Sequence, residues 1–283
     1  MPSALVTGSS SGFGRGVVSA LLARGFSVYA SLRDAERRAG LFEAEQLACG
    51  ERLVLLTLDV TDPVQRQAAA ERVLAGGPLD CLINNAGYAQ FGALEDVDEA
   101  QLRRQFEVNF FGAALLTRAL LPALRAARGV VLNVSSVFGF SAFPLSSVYC
   151  ASKYALEGLS EALYYELRPH GVRVGLVEPG GHRTGFGAAV EWGRFDNSAY
   201  APETAGYRRL HGTLVTRPNG TSPDAVVRTL VRLAEAAHVP LRSVVGRDAS
   251  LTAALQRILP EALRAPATSA LLARMLRRAG ASP

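Results

Sequence analysis

Short apolar runs at 5–7, 26–32, 53–58, 79–83, 130–134, 172–177 and 241–245 recur along the chain, and between them lie stretches of helical spacing. The first such stretch places Val17, Val18, Leu21 and Leu22 on one face before Gly25, and others fall at 64–74, 99–124, 149–167 and 223–237. Strands that alternate with helices can bury both faces only as a parallel sheet with helices on each side. Parallel crossovers are right-handed, so the expected fold is α/β: a doubly wound parallel sheet that takes its ligands at the carboxyl ends of the strands.

With 283 residues, 49% apolar and 19% charged, the chain can bury one large core and has none of the bias of a disordered, collagenous or coiled-coil sequence. The expected organisation is a single domain over 1–283. Within it, a Gly-rich aromatic segment at 185–222 is read as a substrate lid and 251–283 as a helical extension. No uninterrupted apolar run approaches the roughly 18 residues of a membrane span, and residues 1–4 lead straight into a strand, so a soluble, unprocessed protein is expected. Three widely spaced cysteines suit neither a disulfide framework nor paired metal ligands and point to a reducing, cytoplasmic setting. The four histidines show no ligand spacing, and no metal site is expected.

The net charge of +5 sits in the tail, where residues 241–283 hold seven arginines against Asp248 and Glu261. The body carries no basic stripe with interleaved aromatics, so nucleic acid is not an expected partner. Leu271, Leu272, Met275 and Leu276 form one stripe of the tail, opposite Arg274, Arg277 and Arg278. Such a helix can lie on an anionic membrane, but a docked terminal helix with a solvated face is the favoured reading. Of the thirty basic residues only Lys153 is a lysine. A chain that uses arginine wherever a positive charge suffices has kept one ammonium, and the two cations differ in chemistry.

Residues 7–14, Thr-Gly-Ser-Ser-Ser-Gly-Phe-Gly, stand between the first strand and its helix. Glycines there allow a tight turn and close backbone approach, and the hydroxyls of Ser9, Ser10 and Ser11 can donate to phosphate or sugar. A tight structural loop is the alternative, and the position at the first βα junction favours the anion cradle. Residues 84–87, Asn-Asn-Ala-Gly, follow the 79–83 strand and belong at the same sheet edge, although a generic turn would look the same.

Tyr149 and Lys153 are four apart on a helix and so share a face. An ammonium at about 5 Å lowers a phenol by about two pKa units at an effective dielectric of 20, and desolvation opposes it. A tyrosine that exchanges a proton near neutrality is the acid or base that a carbonyl/alcohol interconversion requires. Ser136, at the end of the 130–134 strand, can hydrogen-bond the reacting oxygen or simply cap a turn. Asn109 is a polar residue in an apolar helical stretch, and its bland reading is a buried amide that satisfies backbone.

Taken together these residues resemble the short-chain dehydrogenase/reductase family: the turn at 7–14, Asp59-Val60, Asn84 to Gly87, Asn109, Ser136, Tyr149 with Lys153, and Pro179-Gly180 followed by Thr184. The likeness runs to about residue 185 and more loosely to 250. Residues 31–34 and 149–159 resemble the branch that includes 17β-hydroxysteroid dehydrogenase type 1 and the retinol dehydrogenases. The resemblance implies a Rossmann fold and a nicotinamide coenzyme held by Gly8, Ser10, Ser11, Gly12, Phe13, Gly14, Asn85, Ala86 and Gly87. It implies further that Asp59 and Val60 hold the adenine, Thr184 the carboxamide and Lys153 the nicotinamide ribose, with Pro179 and Gly180 also among the coenzyme-binding residues. Tyr149 would then be the proton donor or acceptor, Ser136 the holder of the substrate oxygen, and Asn109 the anchor of a relaying water. His182 stands where the family usually has an aliphatic residue.

Folds that select NAD(H) place a carboxylate at the end of the second strand, and this chain has Leu32 then Arg33. A guanidinium suits a 2′-phosphate, so NADP(H) is expected over NAD(H), with Asp34 the counter-argument. Val137, Phe138, Phe140, Phe143 and the 186–207 aromatics predict an apolar pocket for a small hydrophobic carbonyl or alcohol. Tyr207 and His211 are a turn apart and are read as a surface pair rather than as a reader of the substrate's polar end. The family likeness implies carbonyl reduction and a homo-oligomer paired through helices 101–124 and 149–167. Two alternatives stand: the same site run oxidatively with NAD, and a dinucleotide-sensing protein without significant turnover.

Overall fold

The computed structural model describes residues 1–182, 189–216 and 222–278. Its strands are β1 (Ser3–Val6), β2 (Ser27–Leu32), β3 (Leu53–Thr57), β4 (Cys81–Asn84), β5 (Ala89–Phe91), β6 (Val130–Val134), β7 (Arg173–Pro179), β8 (Val190–Trp192) and β9 (Arg242–Val245). Seven of them form one parallel sheet in the order β3-β2-β1-β4-β6-β7-β9, and β5 pairs in parallel with β8 as a separate ribbon.

The helices are α1 (Gly12–Ala23), α2 (Ala35–Arg38), α3 (Glu43–Cys49), α4 (Pro63–Ala75), α5 (Glu99–Phe106), α6 (Gly112–Ala127), α7 (Ser147–Leu167), α8 (Ala201–Thr216), α9 (Asp224–Glu235), α10 (Arg247–Ile258) and α11 (Glu261–Arg278).

Successive side chains of a strand point to opposite faces, and the core divides accordingly. Ala4 and Val6 of β1, Cys81 and Ile83 of β4, and Val130 and Leu132 of β6 meet Val17, Val18 and Leu21 of α1 and Val226 and Leu230 of α9. Leu5, Leu82 and Val131, the residues between, meet Ala69, Ala70 and Val73 of α4 and Leu116, Leu120 and Leu124 of α6. Each fully buried leucine contributes about 1.5–3 kcal/mol. By length and a mean hydropathy of 1.3 the stretch Glu99–Ala127 could cross a membrane. Its inner face is instead core.

Local signals set the helix starts. Asp62 caps α4 by accepting from the Val64 and Gln65 amides at 2.8 and 3.1 Å, with Pro63 in the first turn, where no donor is needed. Asp98 and Gln101 form a capping box on α5.

Two expectations are corrected. The helix expected over 99–124 is interrupted by a π-turn at Glu107–Phe111, which separates α5 from α6. A β-carbon at Gly112, where α6 starts, would stand 2.7 Å from Val60 Cγ2, so the chain passes the end of the third strand closely here. The 185–222 segment, expected to be irregular, forms β8 and α8 in its described part. The strand order reverses between β1 and β4, and in doubly wound sheets the ligand crevice lies at that switch point.

Candidate active site

The turn after β1 is locked to the turn after β4. Thr7 Oγ1 accepts from the amides of Asn85 and Ala86 at 2.9 and 3.0 Å, and Asn85 Nδ2 donates to the carbonyls of Thr7 and Gly8 at 2.9 and 3.0 Å. Gly8 has φ +67, a left-handed backbone that glycine adopts without strain, and a β-carbon at Gly14 would collide with the Gly8 carbonyl. Ser9 turns inward and donates to the Val6 carbonyl at 2.9 Å, so of the three serines Ser10 and Ser11 face outward. Ser11 stands at the N-cap of α1 but makes no side-chain cap, which leaves the first amides of the helix for an anion.

These turns open onto a cleft of about 380 Å³. Of the expected coenzyme residues, Gly8, Ser10, Ser11, Gly12, Phe13, Arg33, Asp59, Val60, Asn85, Ala86 and Gly87 line it. Gly14 lies behind the turn rather than on the wall. The cleft therefore fits a dinucleotide in three respects: uncapped helix amides for a pyrophosphate, small residues against which a ring can lie, and cations at the end of β2. Those cations are Arg33 and, unforeseen, Arg38. Asp34 is engaged elsewhere: its carboxylate caps α2 by accepting from the Arg37 amide at 3.1 Å. The far wall is formed by Arg104 of α5 paired with Glu191 of β8 at 2.8 Å.

Pro179 ends β7 and Gly180 follows it; neither lines the cleft, nor do Tyr149 and Lys153, and Thr184 lies outside the described residues. Asp248 of α10, another residue missed in the sequence, fixes this loop by accepting from the Gly181 amide at 2.6 Å.

The four expected catalytic side chains converge at the ends of β4 and β6. Tyr149 and Lys153 are each 5% exposed on α7, and Lys153 Nζ lies 6.0 Å from the tyrosine ring centroid. Ser136 hydrogen-bonds the Tyr149 hydroxyl and also accepts from the Phe138 amide at 3.2 Å, so it acts as a turn cap as well. Asn109 sits in the π-turn, a distortion often found at functional sites. Its amide accepts from the Tyr88 N–H at 3.1 Å and donates to the Tyr88 carbonyl at 3.0 Å and to Ser152 Oγ at 3.2 Å. A β-carbon on Gly87 would meet Asn109 Oδ1 at 3.2 Å and Lys153 Nζ at 3.8 Å, which puts all three side by side.

Electrostatics differ from the sequence argument. Burial is the largest influence on Tyr149 and pushes its phenol well above the ordinary value, with the Ser136 hydrogen bond pulling it down. Burial also brings Lys153 down to about 8, opposed by the Glu157 carboxylate. The ammonium donates to the Val134 carbonyl at 2.8 Å. Desolvation thus outweighs the expected acidification of the phenol by its lysine neighbour.

Beyond Tyr149 the space is filled with rings. Phe91 packs on Tyr149 at 5.8 Å between centroids, on Trp192 and Tyr207 at 5.6 Å, and on His211 at 5.5 Å, while Phe138 joins Tyr149 to Phe143. Tyr207 and His211 are therefore not a surface pair. The Tyr207 hydroxyl lies 3.3 Å from Ser146 Oγ, and burial lowers the His211 imidazole. The aromatic residues were legible, but the central role of Phe91 was not, because its partners are remote in sequence.

A doubly wound sheet with a glycine-lined crevice and a buried tyrosine, serine and lysine defines an oxidoreductase of the dinucleotide-binding class. The sequence profile of the short chain dehydrogenases matches residues 2–193. The chain is 35% identical over 266 residues to the uncharacterized oxidoreductase YusZ of Bacillus subtilis, covering 91% of this chain and 93% of that one. It is 34% identical over 250 residues to retinol dehydrogenase 8 of Bos taurus, covering 84% and 79%. A short-chain dehydrogenase from Streptomyces avermitilis superposes with a TM-score of 0.80 at 38% identity, over 95% of each chain. One from Burkholderia cenocepacia solved with NADP gives 0.74 at 29%, over 94% and 96%. One from Burkholderia phymatum solved with NAD gives 0.78 at 25%, over 90% and 92%. The chain belongs to the short-chain dehydrogenase family, oxidoreductases that use a nicotinamide cofactor.

Proposed function

We propose that the chain is an NADP(H)-dependent oxidoreductase that moves a hydride between nicotinamide and an apolar ketone or alcohol, with carbonyl reduction as the working direction. One observation carries this reading: the Tyr149 hydroxyl is hydrogen-bonded to Ser136, buried with Lys153 and packed against an aromatic wall, and Lys153 lies beside Gly87, which lines the cleft. A phenol held above its ordinary range keeps its proton at neutral pH. Its release to a substrate oxygen has to be eased by groups that favour the phenolate, here the Ser136 hydrogen bond and the neighbouring Lys153 ammonium.

Bound nicotinamide supplies the hydride. On the protein side, Tyr149 gives its proton to the substrate oxygen and Ser136 donates a hydrogen bond to the same atom. Lys153 stabilises the phenolate left behind and holds the ribose. Asn109 keeps the 87–88 backbone in place and anchors the water through which the proton is replaced.

Preference for NADP(H) is supported by Arg33 and Arg38 on the cleft wall and by the engagement of Asp34 as a cap. Oxidation with NAD is the second reading, supported by the NAD-bound relative from Burkholderia phymatum. An apolar substrate is supported by Phe91, Phe138, Phe143 and Trp192. A homo-oligomer paired through the α5 to α7 helices is part of the proposal, supported by Phe111, Tyr154 and Tyr165, which are exposed there, as are a lid role for the β8 and α8 segment and a cytoplasmic setting.

The test is fluorescence titration with NADPH and NADH, followed by absorbance at 340 nm against a panel of hydrophobic ketones and alcohols. Tighter NADPH binding and ketone-dependent oxidation of NADPH are expected. Binding of neither coenzyme, or turnover that survives Tyr149→Phe, overturns the reading.

A further inference from the structure

Behind Lys153, α7 carries a second set of buried ionisable groups that the proposed chemistry does not use. Glu157 follows Lys153 by one helical turn and is 5% exposed, and Glu178 of β7 is 1% exposed. Their carboxyl groups lie together against one guanidinium. From β9, Arg242 Nε stands 3.0 Å from Glu157 Oε2 and 3.7 Å from Glu178 Oε1, while its Nη2 reaches Glu161 Oε2 at 2.7 Å. Ser135 at the end of β6 faces Glu157, and Arg257 of α10 attracts Glu178. The turn at 137–139 closes over them: a β-carbon on Gly139 would stand 3.2 Å from Glu157 Oε1.

Two carboxylates in contact in a site this dry cannot both stay ionised when the nearest guanidinium is shared among three acids. The Ser135 hydroxyl faces Glu157, but two anions would leave Glu178 Oε1 buried without a donor. One proton held between them supplies it.

We propose that Glu157 and Glu178 share a single proton, and that Glu157 is a positioning residue whose negative charge keeps Lys153 cationic in its buried site. The inference rests on the reading of Lys153 as the working cation beside Tyr149. Burial drags the lysine down to about 8, and the Glu157 carboxylate opposes it, together with the hydrogen bond to the Val134 carbonyl. Glu178 is pushed up to about 8 by burial and by Glu157. The pair and the lysine therefore titrate in the same range, and loss of the pair's proton tightens the hold of Lys153 on its own.

Because Lys153 is the only lysine among thirty basic residues, ¹³Cε-lysine labelling of the whole protein gives one lysine resonance, whose pH titration reads this residue alone. In Glu157→Gln the midpoint is expected to fall by about one pH unit, and the alkaline limb of kcat/KM to move with it. In Glu178→Gln, which concentrates the pair's one negative charge on Glu157 beside the lysine, a small rise is expected, and this variant carries the test if the first does not fold. Glu161→Gln, at the exposed end of the Arg242 cluster, is expected to leave the midpoint in place. An unchanged midpoint in both buried variants, or an equal fall in Glu161→Gln, overturns the proposal. Since the resonance is read without turnover, a midpoint that moves while the kcat/KM profile does not would sink the role of Lys153 and leave the shared proton standing.

Discussion

Around β1 and β4 the carboxyl edge of the sheet is held open. Glycines bring backbone to the surface, Thr7 and Asn85 lock the two turns together, and the helix amides are left uncapped. Around β6 and α7 the same edge is filled, with rings from β5, the 137–139 turn, β8 and α8 meeting over Tyr149. The first half is shaped in advance for a ligand. The second is built of packed rings around Tyr149, so coenzyme affinity and substrate turnover should respond separately to substitution.

Tyr149→Phe breaks that comparison most severely if it is wrong. Loss of the proposed proton donor should lower kcat by roughly 10²–10⁴, while NADPH titration gives an unchanged Kd. A Kd that weakens in step with kcat would show the two halves to be one unit. Phe91→Ala comes next. Removing a ring that is 3% exposed should cost about 3 kcal/mol in denaturant unfolding, yet the vacated space should let bulkier ketones turn over. Lost stability without a change in substrate range would mean that Phe91 only packs.

Arg33→Ala and Arg38→Ala sharpen the other side. Each should weaken NADPH by about tenfold and leave NADH nearly unchanged, since a charged hydrogen bond contributes about 1.5–3 kcal/mol. Equal loss for both coenzymes would remove the argument from the end of β2.

The same contrast explains what the sequence disclosed. The turn at 7–14 and the Tyr149/Lys153 spacing are local patterns, and local rules sufficed to place them on one edge. Arg38 escaped notice because its approach to the cleft depends on α2, a helix of four residues started by Asp34, the residue that had argued against NADP(H). Asn109 was found, but not the π-turn that holds it, because helical periodicity barely registers one inserted residue. Phe91 gathers partners up to 120 residues away, and no periodicity encodes such a meeting. Lys153 was weighed as a charge acting on a phenol, whereas its own burial, invisible in the sequence, is the larger effect.

The two halves touch at one further point, where Arg104 of α5 pairs with Glu191 of β8, the strand that also carries Trp192 over the pocket. Both side chains are well exposed, at 53% and 39%, so the pair should contribute no more than about 1 kcal/mol to stability, less as salt rises. Glu191→Gln keeps the shape and removes the charge. Thermal melting should shift by no more than a few degrees, and the shift should vanish at high ionic strength. If β8 acts as a lid, the dissociation rate of NADPH in stopped flow should nevertheless rise, because the variant loosens the wall of the cleft without touching its floor. A dissociation rate that matches the unsubstituted protein at low salt would show that the open half holds its ligand without help from the filled one.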